Sequence, residues 1–269
     1  MTDRTPSLEA VAAWLLAALW LLPILFAVWA AVHPPEYLTG FDPFAPLTTD
    51  NFERAFAAAP FGRYMLNTAI LVTGILAAQF VLCTLAAYAF ARWSFPGAGI
   101  LFALVLVQLM VAPEVLMVQN YATIARLGLV DSLAGVAIPY VASAFGIFLL
   151  RQTFRQVPKE LEEAAVMEGA GWFTVLMRVY VPLAKPVYVA YGLVSVSFHW
   201  NNFLWPLVVT SSVSTRPVTV GLQVFASVDQ GIDWTVISAA SLATSAPLLV
   251  AFLLFQRAFV QSFMRAGIR

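Results

Sequence analysis

The sequence predicts an all-α integral membrane protein with six transmembrane helices, and three observations predict it. Hydrophobic residues make up 61% of the 269 and charged residues only 10%, with a mean hydropathy of +0.85, outside the range of soluble globular domains. Six charge-free runs are long enough to cross a bilayer, and lysine and arginine gather in alternate loops between them.

The runs emerge when the chain is cut at every Asp, Glu, Lys and Arg, since one charge at a helix centre costs about 2.5–3.5 kcal/mol on insertion. Only six pieces then reach the roughly 18 residues that span ~30 Å of hydrocarbon. They place helices at about 10–32, 65–91, 97–117, 132–150, 186–209 and 235–256. The apolar stretch from Val11 to Val32 is longer than the h-region of a secretory signal and its flank, with Asp3, Arg4 and Glu9, is not clearly basic. It reads as an uncleaved first span.

Orientation follows from the positive charges. One set of loops carries Arg4, Arg92, Arg151, Arg155, Lys159, Arg178, Lys185, Arg257, Arg265 and Arg269, and the other only Arg54, Arg63, Arg126 and Arg216. The positive-inside rule puts the first set, and both termini, in the cytoplasm. Residues 151–185 then form one long cytoplasmic loop.

Composition also excludes functions. A formal net charge of zero offers no basic field for nucleic acid. The single cysteine, Cys83, and two histidines, His33 and His199, supply neither a disulfide framework nor a metal cluster. Neither Lys159 nor Lys185 ends a phosphate-cradling G-x-x-x-x-G-K-[ST] loop, so ATP is expected on another subunit. An enzyme reading lacks a nucleophile with a paired base. Apart from Glu114 near the end of the third, the spans hold no Asp, Glu, Lys or Arg, which disfavours ion coupling, although an ion-gradient-driven carrier or channel stays open as the alternative, as does a membrane scaffold.

The loop itself has the punctuation of two short helices. Pro158 suits a first helical position, Glu160, Glu162 and Glu163 favour the first turns, and Gly169 and Gly171 supply a stop. Leu161, Ala164 and Ala165 share a face, and a second helix from about Trp172 is expected to end before Pro182. Surface-lying amphipathic helices usually turn Lys and Arg toward lipid headgroups, whereas glutamates around paired alanines favour a protein groove.

Glu163-Ala164-Ala165, then Gly169, then Val179-Tyr180-Val181-Pro182 resemble the EAA loop of type I ABC importer permeases. Phe95-Pro96-Gly97, Tyr140 to Arg151, Trp200 to Pro206 and Phe255 to Phe259 are similar to the maltose-G-like subunits of carbohydrate-uptake importers, and the segment around Asp50-Asn51-Phe52 and Phe61-Gly62-Arg63-Tyr64 to the glycerol-3-phosphate permease branch. The resemblance implies a multi-pass permease of the bacterial inner membrane whose coupling helix docks on an ATPase subunit through Glu162, Glu163, Ala164, Ala165, Met167, Gly169 and Pro182. It implies a second homologous permease, two ATPase subunits carrying ATP and Mg, and an external solute-binding protein, with no cofactor on this chain. The cargo it implies is a sugar, polyol or glycerol-containing ester. His199 and Asn202 stand where relatives often differ, Asn202 replacing an acid.

Two polar features remain. Ser195, His199 and Asn202 recur at i, i+4 and i+7 and, with Ser197 and Asn201, form a polar stripe in the fifth span. That stripe either bonds helix to helix or lines a translocation cavity. Glu114 falls where the third span should emerge, as a solvated or capping carboxylate or as an intramembrane proton site.

Overall fold

The computed structural model describes residues 8–38, 40, 42, 44–226 and 233–267. Asp3, used above for the flank of the first span, and Arg4 and Arg269, used for orientation, lie outside the described residues, as do the side chains of Arg257 and Arg265. Among the described residues all regular structure is helical. The helices fall into two compact units, one within Met1–Gly62 and Gly221–Pro247, the other within Arg63–Val220 and Leu248–Arg269.

In the first unit, α1 (Leu8–Ala31) is apolar on every side. Trp14 and Trp20 are 76% and 79% exposed. A helix with no polar face and no protein cover requires a hydrocarbon solvent. Just beyond it the chain is knotted to α2 (Asp50–Ala58): the buried Asn51 amide donates to the carbonyls of Ala31 at 3.1 Å and His33 at 2.8 Å. Arg54 on α2 pairs with Asp233 at 2.5 Å. Asp233 also accepts from the Thr235 amide at 3.1 Å, which starts the last helix.

The second unit holds the rest. α3 (Phe61–Arg92) is one unbroken helix of 32 residues, and with Glu9–Ala31 and Trp234–Gln256 it is long and apolar enough to cross a membrane by itself. The third, fourth and fifth apolar runs differ from the continuous spans the sequence predicts. α4 (Ala98–Val107) continues to Met110, and the following helical segment, Pro113–Arg126, which contains α5 (Met117–Arg126), is turned through 98°. Pro113 has no N–H to continue the ladder and forces Ala112 into an extended conformation, with φ −65° and ψ 134°. α6 (Leu133–Ala137) and α7 (Ala144–Gln156) belong to a second pair bent by 44°, where Ser143 leaves the helix and caps α7 by accepting from the Gly146 amide. Counting each bent pair as one crossing gives the six of an all-α membrane fold.

The long loop continues the pattern. α8 (Lys159–Met167) is followed by a helical stretch that starts as α9 (Trp172–Val175), widens into a π turn over Leu176–Tyr180 and runs on through α10 (Val181–Leu183). The sequence reading ended this helix before Pro182; instead the helix passes through it, and the wide turn lies just where Pro182 offers no N–H to the Arg178 carbonyl. At Ala184 the chain turns through 75° into α11 (Lys185–Trp200). α12 (Leu204–Val209) and α13 (Val218–Gly221) complete the unit. A core of Cys83, Tyr88, Leu150, Phe154, Leu176 and Tyr180 joins α3, α7 and the loop helices. A second cluster of Leu71, Ile124, Val136, Trp205 and Val209 ties α3, α5, α6 and α12.

Between α5 and α6 stands a polar clasp. Asp131, at φ 58°, accepts at one carboxylate oxygen from the Ser211 amide at 2.8 Å, the Ser212 amide at 3.0 Å and the Thr215 hydroxyl at 2.5 Å. Aspartate is one of the few residues with an L side chain that tolerates this left-handed conformation. Those donors, the Ser212 amide foremost and then Thr215 and Ser211, hold its carboxyl well below the usual carboxylate range. A depressed folded-state value means that the clasp's contribution is complete above the ordinary carboxylate range and is lost only as pH falls through the depressed one. Amide exchange should therefore find Ser211 and Ser212 as protected at about pH 3, below the ordinary aspartate value of about 3.9, as at neutrality. Asp131→Ala should remove that protection at every pH; protection that fades with ordinary carboxylate titration would contradict the clasp.

Candidate functional site

Two places bring polar chemistry together. The first is the junction of α3, α8 and the π turn. Arg92, the last residue of α3, has a side chain only 7% exposed. Its Nε donates to Glu162 Oε2 at 2.7 Å and its Nη2 lies 2.5 Å from the same oxygen. Tyr180 donates its hydroxyl to that oxygen at 2.8 Å, and the guanidinium lies 5.1 Å from the Tyr180 ring centre. A charge pair supported by a hydroxyl and an aromatic face is a rigid anchor.

This anchor sorts the residues assigned to docking. Glu162 turns inward onto Arg92, and Ala165 is half-buried against the Tyr180 core, so these two hold the helix rather than present it. Glu163, Ala164, Met167 and Gly169 are exposed, Met167 at 87%. Gly169 ends the segment at φ 83°, and a Cβ there would meet no atom within 4 Å. Its constraint is backbone conformation, not crowding. Pro182 is exposed within the second loop helix.

The second place is a cavity of about 360 Å³ lined by parts of α3, α5, α7, α11 and the breaks between them. Its polar wall centres on Gln79, which is 3% exposed in the middle of α3. Gln79 Oε1 accepts from Ser195 Oγ at 2.6 Å and from the Tyr191 hydroxyl at 2.8 Å. Its Nε2 donates to the Tyr140 carbonyl at 2.7 Å and faces His199 Nε2 at 3.2 Å. All four hydrogen-bonding positions of the amide are used, as a polar group within hydrocarbon requires. Gly146 makes room for this: a Cβ there would fall 2.7 Å from Tyr191 Cζ.

Of the predicted stripe, Ser195, His199 and Asn202 line this one cavity, although α11 ends at Trp200 and Asn202 lies beyond it. Asn202 donates to the Tyr140 hydroxyl at 3.1 Å. Asn201 does not join them; it is exposed, and its amide folds back on the Ser197 carbonyl at 2.8 Å. Glu114 is exposed in the first turn after the 98° break and lies on the cavity wall. Sequence reasoning missed Gln79 and Tyr140 because cutting the chain at charged residues passes over a neutral amide. A lone glutamine between Ala78 and Phe80 was the available signal.

Comparison with known proteins fits this architecture. The model of the family described as "Binding-protein-dependent transport system inner membrane component" matches residues 10–265. The sn-glycerol-3-phosphate transport system permease protein UgpE of Pectobacterium atrosepticum is 34% identical over 203 residues, covering 75% of this chain and 72% of that one. The protein of the same description from Escherichia coli O1:K1 / APEC is 33% identical over 205 residues, covering 76% and 73%. Among solved structures, a chain of a bacterial ABC transporter involved in the import of the acidic polysaccharide alginate superposes with a TM-score of 0.85 at 22% identity, covering 96% of this chain and all of that one. A chain from the bacterial alginate ABC transporter in complex with alginate pentasaccharide-bound periplasmic protein gives 0.68 at 15% identity, covering 93% and 94%. Six apolar runs, an exposed helix anchored at one end and stopped by a left-handed glycine, and a family match over nearly the whole length agree, and the chain belongs to the binding-protein-dependent transport system inner membrane components, the permease subunits of ABC importers.

Proposed function

We propose that this chain is one half of a paired permease that carries a sugar, polyol or small glycerol-containing ester inward across the bacterial inner membrane. It works with a second homologous permease, two ATPase subunits and an external solute-binding protein. ATP and Mg act on the ATPase subunits, and both termini and the 151–185 loop face the cytoplasm. sn-Glycerol-3-phosphate, the cargo named for the UgpE permeases it resembles, is a glycerol ester with free hydroxyls, and those hydroxyls support the solute class.

The observation that carries this reading is α8 itself. It is an outward helix whose exposed Glu163, Ala164 and Met167 cover no core of their own chain, while Glu162 and Ala165 fix it to α3 and the Tyr180 core. A helix held at one face and bare at the other transmits a push from a docked partner into the spans. ATP-driven closure of the ATPase pair then biases the permeases between inward-open and outward-open states, and solute enters from the binding protein in the latter.

Gly169→Val tests it. A β-branched residue at φ 83° is strained whatever the free space around it, so the C-terminal end of α8 must rearrange. Co-purified ATPase subunit and solute uptake should both fall at least several-fold while the chain still inserts in the membrane. Normal uptake in that variant would remove α8 from coupling, a solitary active chain would remove the importer complex, and a reporter after Arg269 found outside the cell would reverse the orientation.

A further inference from the structure

The amide of Gln79 can sit only one way round. Its Nε2 is 2.7 Å from the Tyr140 carbonyl, which accepts and never donates, so the NH2 group must lie at that end. The same NH2 group faces His199 Nε2 at 3.2 Å. That ring nitrogen must therefore offer a lone pair. A ring carrying a proton on Nε2, whether as the other neutral tautomer or as the imidazolium, would set N–H against N–H.

We propose that Gln79 is a positioning residue that holds His199 as a neutral imidazole with its proton on Nδ1, so that the cavity wall hydrogen-bonds without carrying positive charge and selects an uncharged, hydroxyl-rich solute. The solute part of this inference rests on the importer reading above. The rest of the wall agrees. The described residues lining the cavity include Gln108, Asn120, Ser143 and Asn202 but no lysine or arginine, and the one ionisable carboxylate among them is Glu114. A phosphate or uronate would meet no cation on this wall and one carboxylate, whereas sugar hydroxyls find amides, hydroxyls and an imidazole. His199 Nδ1 is buried and has no acceptor among the described residues, which leaves one donor to be satisfied from elsewhere. The groups facing the imidazole are the Gln79 amide and the Tyr140 ring, whose centre lies 4.9 Å away, with Phe198 beside it.

The chain's two histidines make the test direct. Full-length protein labelled with ¹⁵N-histidine is placed in lipid nanodiscs, and His199→Gln assigns the two rings. The expected spectrum for His199 has a protonated, pyrrole-type Nδ1 and a pyridine-type Nε2 at neutral pH. Gln79→Glu, which turns an acceptor toward the ring, should move the proton to Nε2 or add a second one. A protonated Nε2 in the unaltered chain overturns the proposal without any variant having to fold, and so does an unchanged tautomer in a folded Gln79→Glu chain. Titration with glycerol should shift the His199 signals and inorganic phosphate should not; phosphate acting as strongly as glycerol, or neither acting, overturns the solute class. Failure to co-purify an ATPase would instead sink the importer reading and leave the tautomer result standing.

Discussion

Gln79→Leu should be the most damaging single substitution in the membrane-embedded part of this permease. It removes four hydrogen bonds at once, from Ser195 and Tyr191 and to Tyr140 and His199, which link α3 to α11 and to the break before α7. Interhelical hydrogen bonds in membranes contribute roughly 0.6–2 kcal/mol each, so the expected loss of four is about 2–8 kcal/mol. Part of that loss is the cost of leaving buried hydroxyls without an acceptor, and it should be recoverable. Adding Tyr191→Phe and Ser195→Ala to Gln79→Leu removes those orphans and should restore some of the stability, because replacing both partners by apolar groups costs less than stranding one. Thermal unfolding in nanodiscs reads both effects. A melting temperature unchanged in Gln79→Leu, or lowered further by the added substitutions, would show that the network is not a stabilising unit.

The second large effect is expected at the anchor of α8. Arg92→Leu leaves the Glu162 carboxylate with the Tyr180 hydroxyl alone. Removing one partner of a buried ion pair costs about 3–5 kcal/mol, and less here because the Glu162 side chain is 27% exposed; roughly 2–3 kcal/mol is the expected range. Glu162→Gln keeps the shape and an acceptor for Tyr180 but leaves the more buried Arg92 charge without a counter-ion, and should also cost about 2–3 kcal/mol. A double-mutant cycle between Arg92→Leu and Glu162→Leu should return a coupling of about 1–2 kcal/mol. Because the pair fixes the helix proposed to dock, uptake should fall more than stability alone explains, with ATP hydrolysis by the assembled complex no longer matched to transport. A coupling near zero, or uptake that tracks protein level alone, would make the pair incidental.

Much of this was legible in the residues. The apolar runs announce themselves because hydrocarbon admits almost no charge, and the 32 residues of α3 reproduce the second run with a few residues more at its start. The stop at Gly169 was legible too, since glycine is the residue that enters the left-handed region without strain, and its φ is 83°. The bends were less so. Pro113 marks a break in the third run, but a proline alone does not distinguish one that a helix runs through, as α1 does at Pro23, from the 98° turn that follows Met110.

The sequence by itself determined the solvent, the helical class, the number of crossings and the family, because each depends on composition, periodicity or spacing along the chain. The tertiary structure alone decided which polar residues meet. Glu162 and Glu163 are adjacent and chemically alike, yet one is held by Arg92, 70 positions away, and the other is exposed. Gln79 becomes the centre of a site only when Tyr140, Tyr191, Ser195 and His199, separated from it by 61 to 120 positions, are packed around it. Hydrophobicity is a property of each side chain and can be summed along a sequence, whereas a hydrogen bond is a property of a pair and exists only at the distance that folding sets.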